Sequence, residues 1–145
     1  MRCVMMKAYC DSSYDERKGI AGIGVIIEKG AKKRLISTWI KARSNNEAEL
    51  YAIYLASILT GGQCVIYTDS QTALEYIKHD IREKPRTQEQ YLRHMHCMYW
   101  AVKIRNRCVQ AEKIKAHQKV FQTHSIGNRF ADLAANEGRA KYYER

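Results

Sequence analysis

CVIYTDSQTAL, residues 64–74, joins two patterns at one aspartate. Cys64 to Thr68 form a short, continuous run of apolar and aromatic residues closed by a threonine. Such a run reads as a central strand buried on both faces. The polar residues after it open a helical pattern from about Gln71 to Lys78. Asp69 stands at the end of the strand, and a carboxylate there needs a partner that an apolar strand does not supply.

Upstream, CVMMKAYC (3–10), GIAGIGVIIE (19–28) and KRLISTWI (33–40) read as three strands. The turn-rich SSYDERKG between the first two favours antiparallel pairing, so the three form a meander. SNNEAELYAIYLASILTGG follows, with Leu50, Ile53, Tyr54 and Ile58 at helical spacing and Gly61-Gly62 ending the run. Ser44 with Glu47 three residues on fits a capping box. Downstream, Tyr91, Met95, Met98 and Val102 mark an amphipathic helix over 87–106. CVQAEKIKA (108–116) alternates as a strand, and GNRFADLAANEG (127–138) is a last helix with Phe130, Leu133 and Ala134 on one face. The order β-β-β-α-β-α-α-β-α predicts an α/β fold, a five-stranded mixed β-sheet with helices on both faces. In such sheets ligands sit beyond the carboxyl ends of the strands.

With 145 residues, 46% hydrophobic and 28% charged, and a single proline, the chain is expected to form one domain over 1–145. The five cysteines form no CxxC pair and suit buried thiols better than a disulfide frame or a zinc site. His94 and His96 lie about 200° apart on a helix, too far round to share a metal. No apolar run approaches the ~20 residues of a membrane span, and the start is broken by Lys7 and Asp11 before a signal-peptide core forms, so the expectation is a free-standing, soluble, cytoplasmic protein. The net charge is +10. Residues 76–120 hold eleven Lys/Arg against four Asp/Glu, seven of the ten surplus charges, and a polyanion is the partner such a surplus suits.

Three of the five aspartates sit in apolar surroundings. Asp11 ends the first strand, Asp69 the central one, and Asp132 lies near the start of the last helix; Glu49 joins them in the first turn of a helix whose next residues are apolar. Each has an ordinary alternative. Asp69 can cap the helix after it, Asp11 can belong to a turn, and Asp132 and Glu49 can favour the positive ends of their helices. Four carboxylates on neighbouring element ends repel, and divalent ions relieve that repulsion; oxygen ligands of this kind favour Mg²⁺ or Mn²⁺ over zinc.

Together, YCDSS, SNNEAELYAI, YTDSQTAL and KAHQKVFQTHSIGNRFADLAANEG, in this order over roughly residues 5–140, resemble type 1 ribonuclease H, the enzymes that cut the RNA strand of RNA/DNA hybrids. The resemblance implies an RNase H-like fold and makes Asp11, Glu49, Asp69 and Asp132 a catalytic tetrad that binds two Mg²⁺ ions, with Mn²⁺ as a substitute. It implies hydrolysis to 5′-phosphate and 3′-hydroxyl ends. It places Ser12, Ser13, Asn45, Asn46, Gln71 and Asn128 at the substrate, where amides suit a 2′-hydroxyl and base edges. It further implies a catalytic loop histidine, His117 by its strand anchor, with His124 as the rival.

Three features depart from the family pattern. His117 lies fifteen residues before Asp132, Asp11 is followed by two serines where many members have glycine, and the segment after the central strand is short for the family's basic, Trp-rich handle. Lys78, Arg82, Lys84, Arg86 and Arg93 are the candidates for a reduced handle, while Tyr99 and Trp100 are expected to pack rather than to stack on bases. Two other functions stay open on the residues alone: a junction-type DNA nuclease of the same fold, and a catalytically silent hybrid-binding module. The expected partner is an RNA/DNA hybrid, with no membrane, no obligate protein partner and a monomeric state.

Overall fold

The computed structural model describes residues 6–107, 109–114 and 123–145. Its elements are β1 (Met6–Asp15), β2 (Ile20–Lys29), β3 (Lys32–Lys41), α1 (Asn45–Leu59), β4 (Cys64–Thr68), α2 (Gln71–Ile77), α3 (Gln88–Arg105), β5 (Gln110–Lys113) and α4 (Thr123–Tyr143). The five strands form one mixed sheet in the order β3-β2-β1-β4-β5. β1 and β2 pair antiparallel from Met6–Lys29 to Asp15–Ile20, and β2 pairs antiparallel with β3. β4 lies parallel to β1 and to β5, so the chain crosses over through α1 before β4 and through α2 and α3 before β5.

Alternation along the strands divides the core. Ala8, Cys10, Ile23, Val25 and Ile66 face α1, where Leu50 and Ile53 close the larger cluster; Tyr9 and Ile26 face the other way and meet Ala131 of α4. Cys10, Cys64 and Cys97 are buried free thiols, and Cys3 and Cys108 lie outside the described residues. Among the described residues no helix is long and apolar enough to cross a membrane.

Four local expectations change. β1 does not stop at Asp11. The ladder runs on to Asp15 because Ser12 and Ser13 find side-chain partners on α1 and α4, and the connector shrinks to residues 16–19, with Gly19 at φ +63°. β5 is shorter than 108–116, and α4 starts at Thr123, which puts Asp132 well inside the helix rather than near its start.

On α3 and α4 the buried face is not the one that the large apolar residues mark. Tyr91, Met95 and Val102 are exposed and Met98 only half-buried, while Cys97, Ala101 and Ile104 pack inward. Phe130 and Leu133 are exposed, while Ala131, Ala134 and Ala135 are buried. On α4 the cause is close approach. A Cβ on Gly24 would fall 2.2 Å from the Ala131 carbonyl oxygen, and one on Gly138 would fall 2.0 Å from that of Thr38. Only alanine and glycine fit between that helix and the sheet.

Candidate active site

The β1–β4 ladder ends at Tyr9–Tyr67, while β1 continues. Past that point the edge of β1 lies open to side chains from both faces of the sheet, and three carboxylates meet there. One oxygen each from Asp11, Glu49 and Asp69 lies within 4.8 Å of the other two. Asp11 and Glu49 are only 6% and 5% exposed, and Asp69 is half-buried.

Local structure explains each placement. Ser70, not Asp69, caps α2, its hydroxyl accepting from the Ala73 amide at 3.1 Å, so the Asp69 carboxylate is left for the cluster. The amide of Ser12 donates to Asp11 Oδ1 at 2.9 Å, and its hydroxyl donates to Glu49 Oε1 at 2.7 Å, with Asn45 Oδ1 at 3.3 Å. Ser44 caps α1 through the Glu47 amide at 3.1 Å. Glu47 itself accepts from the Arg43 amide and from Trp100 Nε1, one residue off the reciprocal bond of a capping box. Glu47 is thus structural and Glu49, two residues on, is not. Among the described residues its Oε2 is buried with no hydrogen-bond partner.

Electrostatics make the cluster costly as it stands. Burial, with Glu49 and Asp69 adding repulsion, raises Asp11 to about 9; burial raises Glu49 to about 7 and lifts Asp69 as well. Asp132, exposed on α4, is outside the tight group but close enough to push Asp11 and Asp69 up. An all-oxygen donor set with an unpartnered buried carboxylate oxygen fits a hard divalent cation.

The polar residues around the acids fall into two groups. Asn45 and Gln71 are exposed at the starts of α1 and α2, and Ser13 donates to Asn136 Oδ1 at 2.8 Å. Asn128 Oδ1 is, among the described residues, a second buried acceptor without a partner. Asn46 is set apart from Asn45: it lines a cavity of about 590 Å³ with Thr72, Tyr76, Arg82, Lys84 and Arg93. Three of the five proposed handle cations therefore converge there, while Lys78 and Arg86 are not part of the lining. Thr72 and Tyr76 were not foreseen, since a helix pattern marks Tyr76 only as core.

His117 lies outside the described residues, and of His124 only the backbone, in the first turn of α4, is described. His94 bonds to the Tyr76 hydroxyl and His96 contacts Arg43, so the two do not share a site. Trp100 packs against Tyr51 and Tyr54, in line with a packing role, whereas Tyr99 is exposed beside it.

The mixed sheet, the helices on both faces and an acidic cluster beyond the parallel strands define an α/β protein of the ribonuclease H class. Three solved structures share the fold. The RNase H1 of Halobacterium salinarum NRC-1 is 16% identical, with a TM-score of 0.63 over 94% of this chain and 98% of its own. An RNase H1 isolated from compost by a metagenomic approach is 20% identical, with a TM-score of 0.62 over 97% and 99%. The N-terminal RNase H domain of Rv2228c from Mycobacterium tuberculosis, solved as a fusion with maltose-binding protein, is 16% identical, with a TM-score of 0.58 over 92% and 98%. Among curated protein sequences no relative matches. The family model for RNase H matches residues 4–140, and the chain belongs to the ribonuclease H family. It is thereby a nuclease of a family that binds RNA/DNA hybrids and generally uses a divalent metal.

Proposed function

We propose that this chain, as one domain over residues 1–145, is an endonuclease that hydrolyses the RNA strand of RNA/DNA hybrids and leaves 5′-phosphate and 3′-hydroxyl ends. The observation that carries the reading is the group of buried Asp11 and Glu49 with half-buried Asp69, Glu49 Oε2 having no partner among the described residues, in a chain matched by the family over nearly its whole length. These three with Asp132 would hold two Mg²⁺ ions, Mn²⁺ substituting. Bound there, the ions would supply the positive charge that acidifies an attacking water and offsets the charge on the departing 3′ oxygen.

The chain's own residues supply the rest. Ser12 holds Asp11 and Glu49 by one bond each, so both carboxylates keep their orientation before substrate arrives. Asn45, Gln71 and Asn128 offer amide donors and acceptors to the hybrid, as do the hydroxyls of Ser12 and Ser13. Asn46, Arg82, Lys84 and Arg93 grip a phosphate backbone along the neighbouring cavity. His117, or His124 in its place, handles the proton at the cleaved phosphate.

The test is a gel assay on end-labelled RNA/DNA hybrid, duplex RNA and duplex DNA, with and without Mg²⁺, for the wild type and Asp69→Asn. Metal-dependent cutting of the hybrid's RNA alone, lost in the variant, is the expected result. Cutting of duplex DNA instead, or binding of hybrid with no cutting in either metal, overturns the proposal.

A further inference from the structure

The outward face of α3 carries Tyr91, Leu92, Met95, Tyr99 and Val102, each between 43% and 56% exposed. At 100° per residue they occupy an arc of about 100°, opposite the buried Cys97, Ala101 and Ile104. The stripe runs about 16 Å along the helix. Monomeric surfaces rarely keep so continuous an apolar band on one element.

The pattern is symmetric about its own middle. Positions 91 and 102, and 92 and 99, have their midpoints within half a position of residue 96, and Met95 sits beside it. One flank carries opposite charges at the two ends, Glu89 in the first turn, which also pairs with Arg93 at 2.7 Å, and Lys103 in the last, and the midpoint of Glu89 and Lys103 is again residue 96. Lys103 is held in place by the rings of Tyr54, Tyr99 and Trp100 at 5.4, 4.9 and 5.5 Å. A two-fold axis in the contact plane, perpendicular to the helix, turns the helix end for end and keeps each flank on its own side. Glu89 of one copy then meets Lys103 of the other, twice. An isologous interface needs this self-complementarity, and a foreign partner does not.

We propose that α3 is the contact face of a homodimer, two copies packing by their exposed stripes antiparallel about a two-fold axis at residue 96, with two reciprocal Glu89–Lys103 pairs at the rim. Five half-exposed side chains offer on the order of 500 Å² per copy, about 1,000 Å² in all, the lower limit of a specific interface. An interface of that size belongs with weak, transient associations. The dimer departs from the monomeric state taken as the default expectation, and it does not rest on the nuclease reading, since no proposed metal ligand or substrate contact lies in the stripe.

Sedimentation velocity on the full chain over a concentration series tests it. The wild type shifts from monomer to dimer as concentration rises, and Met95→Glu, which sets two like charges beside the axis, raises the dimer Kd by about a hundredfold or more. Glu89→Lys and Lys103→Glu each weaken the dimer several-fold, and the double variant E89K/K103E recovers it. Unchanged thermal melting of Met95→Glu shows that the loss is not unfolding. A wild type that stays monomeric at its highest soluble concentration, or a Met95→Glu that dimerises like the wild type, overturns the interface. A double variant no tighter than either single one overturns the antiparallel arrangement.

Discussion

Asp69 shows how a residue acquires a role by being relieved of another. Beside it, Ser70 takes the cap of α2, and the carboxylate is free to face Asp11 and Glu49. Asp69→Asn keeps the shape and removes the charge, so the protein should melt as the wild type does, bind hybrid, and cut it at least about a hundredfold more slowly. Protonation supplies a second prediction. Asp11 and Glu49 are raised from ordinary values of 3.8 and 4.5 to about 9 and about 7. In between, the folded state binds more protons than the unfolded one, so their contribution to stability is complete below about pH 4. It is then lost as pH rises through about 7 for Glu49 and about 9 for Asp11. In chelator, the melting temperature of the wild type relative to Asp11→Asn should fall across that range, and added Mg²⁺ should restore it most at the alkaline end. A difference that stays flat with pH, or is indifferent to Mg²⁺, would show that these carboxylates do not share a charged site.

The helices separate pattern from placement. Large apolar residues at helical spacing mark α3 and part of α4 in the chain, yet Tyr91, Met95, Val102, Phe130 and Leu133 are exposed. On α4 the sheet lies so close that not even a methyl group fits at Gly24 or Gly138. Gly24→Ala should therefore destabilise the fold by about 1–3 kcal/mol in denaturant unfolding, because the added methyl meets the Ala131 backbone rather than a movable side chain. On α3, Ile104→Ala should cost about 2–5 kcal/mol, while Met95→Gln at a monomeric concentration should stay within about 0.5 kcal/mol. Equal losses at the two positions would show that the helix is rotated from the orientation described.

Across the whole molecule, charge and topology divide the labour. Strand order brings acids from three elements to one edge, where they repel a polyanion, and the surplus of seven positive charges over residues 76–120 must offset that repulsion. Arg82, Lys84 and Arg93 are the part of that surplus gathered around one cavity beside Asn46. Hybrid binding should weaken steeply with salt, and Arg82→Ala or Lys84→Ala should each lower the slope of log K against log salt by about 1, with little change in kcat. A slope unchanged in both variants would put the phosphate grip elsewhere.

Element order, the Ser44 cap and the three acids that the structure gathers, Asp11, Glu49 and Asp69, were legible in the sequence, because turn chemistry, burial runs and caps are local and a motif survives without knowledge of the fold. Other features depended on tertiary contacts. β1 outlasts its connector because serines find partners 37 and 123 residues away. Asn45 and Asn46, adjacent in sequence, serve different surroundings because a helix turns them apart. The buried face of α4 was decided by how closely that helix is packed against the sheet. Hydrophobicity ranks which residues gain from leaving water, but the distance between two packed elements determines which of them fit.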